Sequence, residues 1–222
     1  MKRVLLSWSG GKESAWALHL LRRSPAIRIE GLLTTFNEVS DRVAMHAVRR
    51  ALLEAQAEST GIPLWEVLLP SPCSNVDYET RMREACGWAV ALGLTGVIFG
   101  DLYLADIRQY RERQLQGTGL DPLFPLWQMR TAELAREMIG AGLRAKLTCV
   151  NPRFLPRDFA GREFDAGLLE DLPAGVDPCG ENGEFHTFVY DGPMLQKPIP
   201  VELGAILERD GFVFADLLES VK

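Results

Sequence analysis

The chain lacks most of what marks a secreted, membrane-embedded or nucleic-acid-coating protein. It has four cysteines, Cys73, Cys86, Cys149 and Cys179. None forms a C-x-x-C pair or a zinc-like spacing, so reduced thiols are expected, with no disulfide framework and no structural metal. No apolar run approaches the ~18 residues of a membrane span, and the chain enters a strand by Val4 without the apolar region of a signal peptide, so no membrane contact and a cytoplasmic location are expected. Cationic surface is also scarce: 24 Lys and Arg against 30 Asp and Glu give a formal charge of −6. That balance argues against nucleic acid, whose binding draws on counterion release by a basic face. The densest basic stretch, Arg108, Arg111 and Arg113, is interleaved with Asp106 and Glu112 and reads as a solvated helix face, a carboxylate or phosphate clamp by Arg108 and Arg111 being the alternative. Two familiar phosphate loops are missing. A Walker A loop needs glycine where Leu6 stands, and Gly117 and Gly119 are followed by Pro122 where a dinucleotide fingerprint needs its third glycine.

What is present is a 222-residue chain of 47% hydrophobic residues, enough for one α/β domain or a domain with a smaller lobe. Strand–helix alternation predicts a parallel sheet. Strands are expected over 3–8, 27–35, 64–69 and 96–100. Helices are expected over 14–22, 46–59, from 77 to 92, and over 106–116. Beyond a lobe change near 117–121 the pattern is less regular: a strand-like LFPLW, a helix over 131–141, a strand over 144–150, and a loop-rich stretch over 151–183 with one short helix near 165–171. An alternating strand over 184–190 follows. The division is therefore 1–120 and 121–222, the second part a smaller α+β lobe.

The first strand runs into Ser9-Gly10-Gly11-Lys12-Glu13-Ser14 and directly on into a helix. Glycines let several backbone N–H groups converge on an anion, the helix N-terminus adds its positive end, and Lys12 adds a full charge. A flexible Ser/Gly turn is the plain alternative. The pattern S-G-G-x-(D/E)-S at the end of a first strand resembles the PP-loop of the ATP pyrophosphatases, which split ATP between the α and β phosphates. Gly100 and Asp101 close the fourth strand, and the carboxyl ends of parallel strands share one rim, so Asp101 is expected beside the loop.

A second motif, DPCGENGEFHTFVYDGP at 177–193, gathers glycines, acids and a histidine at the start of a strand. Together with SGGKES, GDLYLADIRQYRE at 100–112 and FPLW at 124–127, it is similar to the diphthine-ammonia ligase family over nearly the whole chain. The resemblance implies a Rossmann-like PP-loop ATP pyrophosphatase fold and ATP-dependent amidation of a carboxylate, with ATP and Mg²⁺ as cofactors. It also implies a small-molecule or protein-borne carboxylate and ammonium as substrates. A homodimer is an open assembly state. Three positions depart from the SGGKDS and GEGGEFET forms of the diphthamide-making members: Glu13, Asn182 and His186. The last changes charge where the acceptor is expected, which leaves a different acceptor open.

In that scheme Ser9, Gly10, Gly11, Lys12 and Ser14 hold the departing phosphates, Glu13 or Asp101 binds the metal, and Gly100 and Asp101 complete the nucleotide site. For Glu13 the plain alternative is a favourable acid in a first helical turn, and for Asp101 a cap. Glu184 and His186 alternate on one face of the strand over 184–190 and are expected to point to the same pocket. His186 is placed to orient substrate or accept a proton from ammonium near neutral pH, a structural histidine being the alternative. His19 and His46 are assigned to packing or capping, and Cys179 to a small buried position. A sulfur- or RNA-modifying PP-loop enzyme and a nucleotide-binding regulator without turnover remain as other functions.

Overall fold

In the computed structural model, residues 1–43 and 48–220 are described. The period of two in the first strand sets the architecture. In β1 (Lys2–Ser7), Val4 and Leu6 enter one apolar core while Leu5 enters the other, so the strand is covered on both faces. It pairs in parallel with β2 (Ile27–Asn37) on one side and β5 (Gly96–Ile98) on the other. β4 (Leu64–Leu69) extends the sheet beyond β2 and β6 (Asp121–Leu123) beyond β5, all in parallel. The two-residue β3 (Arg42–Val43) pairs antiparallel with the end of β2. The chain thus moves outward from β1 through β2 to β4, then returns to the other side of β1. This reversal opens a crevice between the loops leaving β1 and β5.

Helices α1 (Lys12–Leu21) and α2 (Arg50–Thr60) supply Trp16, Leu18, Leu52 and Leu53 to one core. On the opposite face lies α3 (Asn75–Ala91), with Ala85, Cys86 and Ala89 buried, followed by α4 (Ala105–Leu115), which buries Leu115. α3 opens with a capping box between Ser74 and Asp77, and α2 ends at Gly61 in the left-handed conformation, both standard ways of satisfying helix ends. The expected start of the second helix at His46, with Ala47, lies outside the described residues.

The second lobe contains α5 (Thr131–Gly140), β7 (Arg144–Val150), a 3₁₀ turn over Arg157–Phe159, α6 (Ala166–Asp171), β8 (Phe185–Asp191), β9 (Val201–Arg209) and β10 (Phe212–Glu219). Its four strands form an antiparallel sheet in the order β8-β7-β10-β9. Two expectations are corrected. The strand near LFPLW occupies Asp121–Leu123 and joins the first sheet as an edge strand, where Pro122 is tolerated; residues from Phe124 onward turn away. The β9–β10 hairpin was not anticipated. Among the described residues no helix is long and apolar enough to cross a membrane.

One hydrophobic core spans both sheets, joining Leu6, Trp8 and Trp16 to Leu147, Phe188 and Val213. Gln56 pins the junction. Fully buried on α2, it accepts a hydrogen bond from Trp8 Nε1 at 2.8 Å and donates to Gly10 O at 3.0 Å and Val189 O at 2.6 Å. Gln56→Leu would leave Trp8 Nε1 without its acceptor and take one donor each from Gly10 O and Val189 O, Gly10 O keeping the Val189 N–H, and unfolding in urea should show a loss of about 1–3 kcal/mol, the scale of one buried polar group left unpaired. A change below about 0.5 kcal/mol would contradict the role given to this side chain.

Candidate active site

The loop after β1 is shaped by close packing. Gly10 has φ +78°, and a Cβ there would lie 2.9 Å from Gln56 Oε1, so only glycine fits. Its carbonyl accepts Val189 N–H at 2.9 Å, which lays β8 across the loop. α1 begins with Gly11 as N-cap and without a side-chain cap. The local donors are held by long bonds to hydroxyls: Gly11 N–H to Ser9 Oγ at 3.3 Å and Lys12 N–H to Thr187 Oγ1 at 3.2 Å. Ser14 Oγ donates to Gly11 O at 2.9 Å and stands 3.5 Å from Ser9 Oγ. Such long contacts are weak, so an anion entering here would displace hydroxyls from amides that already point at it.

The chain leaving β5 crosses the start of α1 at Gly100, where a Cβ would come within 3.0 Å of Glu13 Cβ and 3.2 Å of Ser14 N. That approach brings Asp101 beside Glu13. Asp101 is not a helix cap, since α4 begins at Ala105 after Leu104. Its Oδ2 lies 3.8 Å from Arg111 Nε. Asp101 Oδ2, Glu13 Oε1 and Arg111 Nε are all buried without a hydrogen-bond partner among the described residues. Burial pushes the Asp101 carboxyl above its ordinary range; the charge of Arg111 opposes this and that of Glu13 adds to it.

Lys12 joins this cluster to the second motif. It is 1% exposed, and its Nζ donates to Cys179 O at 2.6 Å and sits 2.8 Å from Glu13 Oε1, an ion pair without hydrogen-bond alignment. The ammonium also lies 4.8 Å from the centre of the Phe185 ring and 5.4 Å from that of Phe164. Asp177 Oδ1 holds the carbonyl-bearing turn in place by accepting from Cys179 N–H at 2.8 Å and Glu181 N–H at 3.3 Å. Cys179 itself is a buried thiol with its pKa pushed up by desolvation, as its assignment to a small buried position required.

Glu184 and His186 do not share a pocket. The strand begins at Phe185, and the Glu184 carboxylate is turned back into its own loop, accepting from Asp177 N–H at 3.0 Å, Asn182 N–H at 2.8 Å and Asn182 Nδ2 at 3.0 Å. His186 does face the chamber. Burial, reinforced by the charge of Lys12, lowers its pKa to about 4, so the imidazole is neutral at neutral pH and is not the proton acceptor near pH 7 that its residue type suggested. Glu181, passed over in the sequence, has that property. Its carboxylate accepts Leu102 N–H at 2.9 Å, and its pKa is raised to about 7 by burial, with the charges of Glu13 and Asp101 adding to the rise and Leu102 N–H and Lys12 opposing it. His19 packs against Trp16, ring centres 4.6 Å apart. His46 lies outside the described residues.

Ser9, Gly11, Lys12, Glu13, Ser14, Gly100, Asp101, Glu181 and His186 line one chamber of about 230 Å³. Gly10 shapes the turn without lining it, and Glu184 stands behind the wall. A second cleft of about 470 Å³ adjoins, bounded by the carboxyl ends of β1, β2 and β4 through Ser7, Thr35 and Leu69, and by Tyr78, Met82 and Tyr110 from α3 and α4. Its size and mixed apolar lining suit a small ligand.

The two shifted groups act oppositely on stability. Glu181 holds a proton in the folded state that the unfolded chain releases, so its contribution is complete below about pH 4.5 and is lost as pH rises through 7. His186 excludes a proton that the unfolded chain binds, so its contribution is complete above about pH 6.5 and is lost as pH falls through 4. Chemical denaturation across pH 4–8 should therefore show wild type losing ground to Glu181→Gln as pH rises, and gaining ground on His186→Gln. Parallel profiles for all three proteins would contradict these assignments.

The same residues fall within regions shared with known proteins. The Diphthamide synthase N-terminal domain model matches residues 1–122 and the Diphthamide synthase C-terminal domain model matches 130–214. A diphthine–ammonia ligase of Mus musculus is 34% identical over 235 residues, covering 96% of this chain and 88% of its own length. The Homo sapiens protein of that name is 33% identical over the same shares, and the Danio rerio protein 27% identical over 90% of this chain and 86% of its own length. With both domain models matched in order and both motifs inside them, this chain belongs to the diphthamide synthase family.

Proposed function

We propose that the chain is an ATP-dependent amidoligase that joins ammonia to a carboxylate of the kind named for its relatives, diphthine, with release of AMP and pyrophosphate. The observation that carries this reading is the convergence of an uncapped helix N-terminus, a glycine turn and a buried lysine on one chamber at the sheet's switch point. A carboxylate oxygen is too poor a leaving group for direct displacement by ammonia. Attack of that oxygen on the α-phosphorus of ATP breaks the bond to the bridging oxygen, and the electron pair leaves with pyrophosphate. Ammonia then attacks the acyl carbon, the carbon–oxygen bond to AMP breaks, and the nitrogen gives up a proton.

In this assignment the amides of Gly11 and Lys12, the hydroxyls of Ser9 and Ser14 and the start of α1 hold the β and γ phosphates around the turn that Gly10 shapes. Lys12 donates one N–H to Cys179 O and pairs with Glu13 by charge without hydrogen-bond alignment, and it offers its remaining donors to the phosphates. The nucleoside lies in the adjoining cleft. Glu13 and Asp101 would hold Mg²⁺, since each has a buried carboxylate oxygen lacking a hydrogen-bond partner among the described residues. The described residues contain no set of three or more such ligands, which suits an ion that takes one or two carboxylates and completes its shell with phosphate and water. Bound there, the ion would neutralise charge on the β and γ oxygens. Glu181, titrating near 7, is suited to take the proton of the attacking nitrogen, while neutral His186 hydrogen-bonds the acceptor.

Incubation with Mg-ATP, ammonium and candidate carboxylates should yield AMP and pyrophosphate in step with amide. Lys12→Ala should slow AMP formation by about 10²–10³-fold, the effect of removing one charge-stabilising donor. ADP as product, or an unchanged rate in that variant, would reject the assignment.

A further inference from the structure

We infer that Arg111 is a catalytic residue that grips the α-phosphate of ATP and keeps it through both half-reactions. The inference rests on the adenylation reading above and adds a group outside the glycine loop and the 177–193 motif. The two cavities share four wall residues, Ser7, Ser9, Phe99 and Arg111, and only the last is charged. With the nucleoside in the larger cleft and the β and γ phosphates on the glycine loop, the α-phosphorus must cross that shared wall. The reacting atom and the guanidinium therefore meet at one place.

The state of Arg111 fits a group waiting for an anion. Its Nε is buried and makes no hydrogen bond among the described residues, and the nearest carboxylate oxygen, Asp101 Oδ2, is 3.8 Å away, beyond hydrogen-bond reach. The guanidinium lies 5.1 Å from the centre of the Phe99 ring, which limits its tilt. Arg108, one turn earlier on α4, is already engaged: it bonds Glu112 at 2.8 Å and stacks over Phe124 and Trp127. Lys12 lines the glycine-loop chamber but not the larger cleft, so it stands off the wall that the two share.

When the carboxylate oxygen attacks, negative charge builds on the non-bridging oxygens of the α-phosphate, where a planar fork of N–H donors is most effective. After pyrophosphate leaves from the loop, the same fork holds the acyl-adenylate. As ammonia displaces AMP, the electron pair of the breaking carbon–oxygen bond passes to the phosphate, which Arg111 again balances.

Calorimetric titration with adenosine, AMP and inorganic pyrophosphate tests this directly. Wild type should bind AMP more tightly than adenosine, and Arg111→Ala should cut that preference roughly tenfold or more, the scale of a charge-assisted hydrogen bond. Adenosine and pyrophosphate affinities should stay within about twofold, which also reports an intact fold. Should Arg111→Ala lose adenosine binding, Arg111→Lys carries the same comparison, with a several-fold smaller preference expected because a point charge replaces the fork. An undiminished AMP preference in the folded variant, or a parallel fall in pyrophosphate affinity, would overturn the role of Arg111 while AMP-forming activity in wild type upheld the amidoligase. ADP formation by wild type would instead overturn that activity, and this inference with it.

Discussion

The buried ammonium of Lys12 is the contact on which the rest of the site depends. Placing a lysine charge at 1% exposure is costly unless partners replace its water, and here they come from both ends of the chain: Glu13 beside it, and the Cys179 carbonyl 167 residues further on. Two aromatic rings of the second lobe complete its surroundings. The glycine loop is consequently not a free-standing turn on the first sheet. The 177–187 segment lies over it, and Thr187 and Val189 hold it through hydroxyl and backbone contacts.

This arrangement concentrates charge that the site's own side chains balance poorly. Glu13, Asp101 and Glu181 face Lys12 and Arg111 around one chamber, and for Asp101 and Glu181 burial outweighs the neighbouring cations and raises the pKa. Buried carboxylate oxygens and a guanidinium nitrogen that make no hydrogen bond among the described residues are expensive in a finished core but useful where a charged ligand is to bind, because the donors and acceptors are aimed in advance. The sheet supplies the place. β1 and β5 are neighbours whose connections depart in opposite directions, and Gly100 lets their loops approach within van der Waals contact.

Much of this was legible along the chain, and the misses have physical causes. Leu64–Leu69 and Arg144–Val150 stand where periodicity placed them, because short apolar strands bounded by turns carry a local signal. β9 was hidden because Leu203 and Leu207 face solvent and blur its alternation, although Asp210-Gly211 is a hairpin turn signal. Ser9, Gly11 to Ser14 and Asp101 line one chamber, as the shared rim of parallel strands implied, and His186 lies there too without Glu184. Glu184 was misdirected because alternation was extended one residue beyond the strand, into a loop with Gly183 at φ +80°, and the chamber receives Glu181 instead. Gln56 gave no cue, since a glutamine on a helix reads as solvated and its partner Val189 is 133 residues away. The low pKa of His186 follows from burial, which residue type cannot report.

A crystal structure with Mg²⁺ and α,β-methylene-ATP, which cannot be split at the reacting bond, tests the central claim most directly. The β and γ phosphates should lie on the amides of Gly11 and Lys12 at the start of α1, within reach of the Lys12 ammonium, with the 177–187 segment closed over them. Nucleotide bound on another surface, with that loop still holding its hydroxyl partners, would contradict the account.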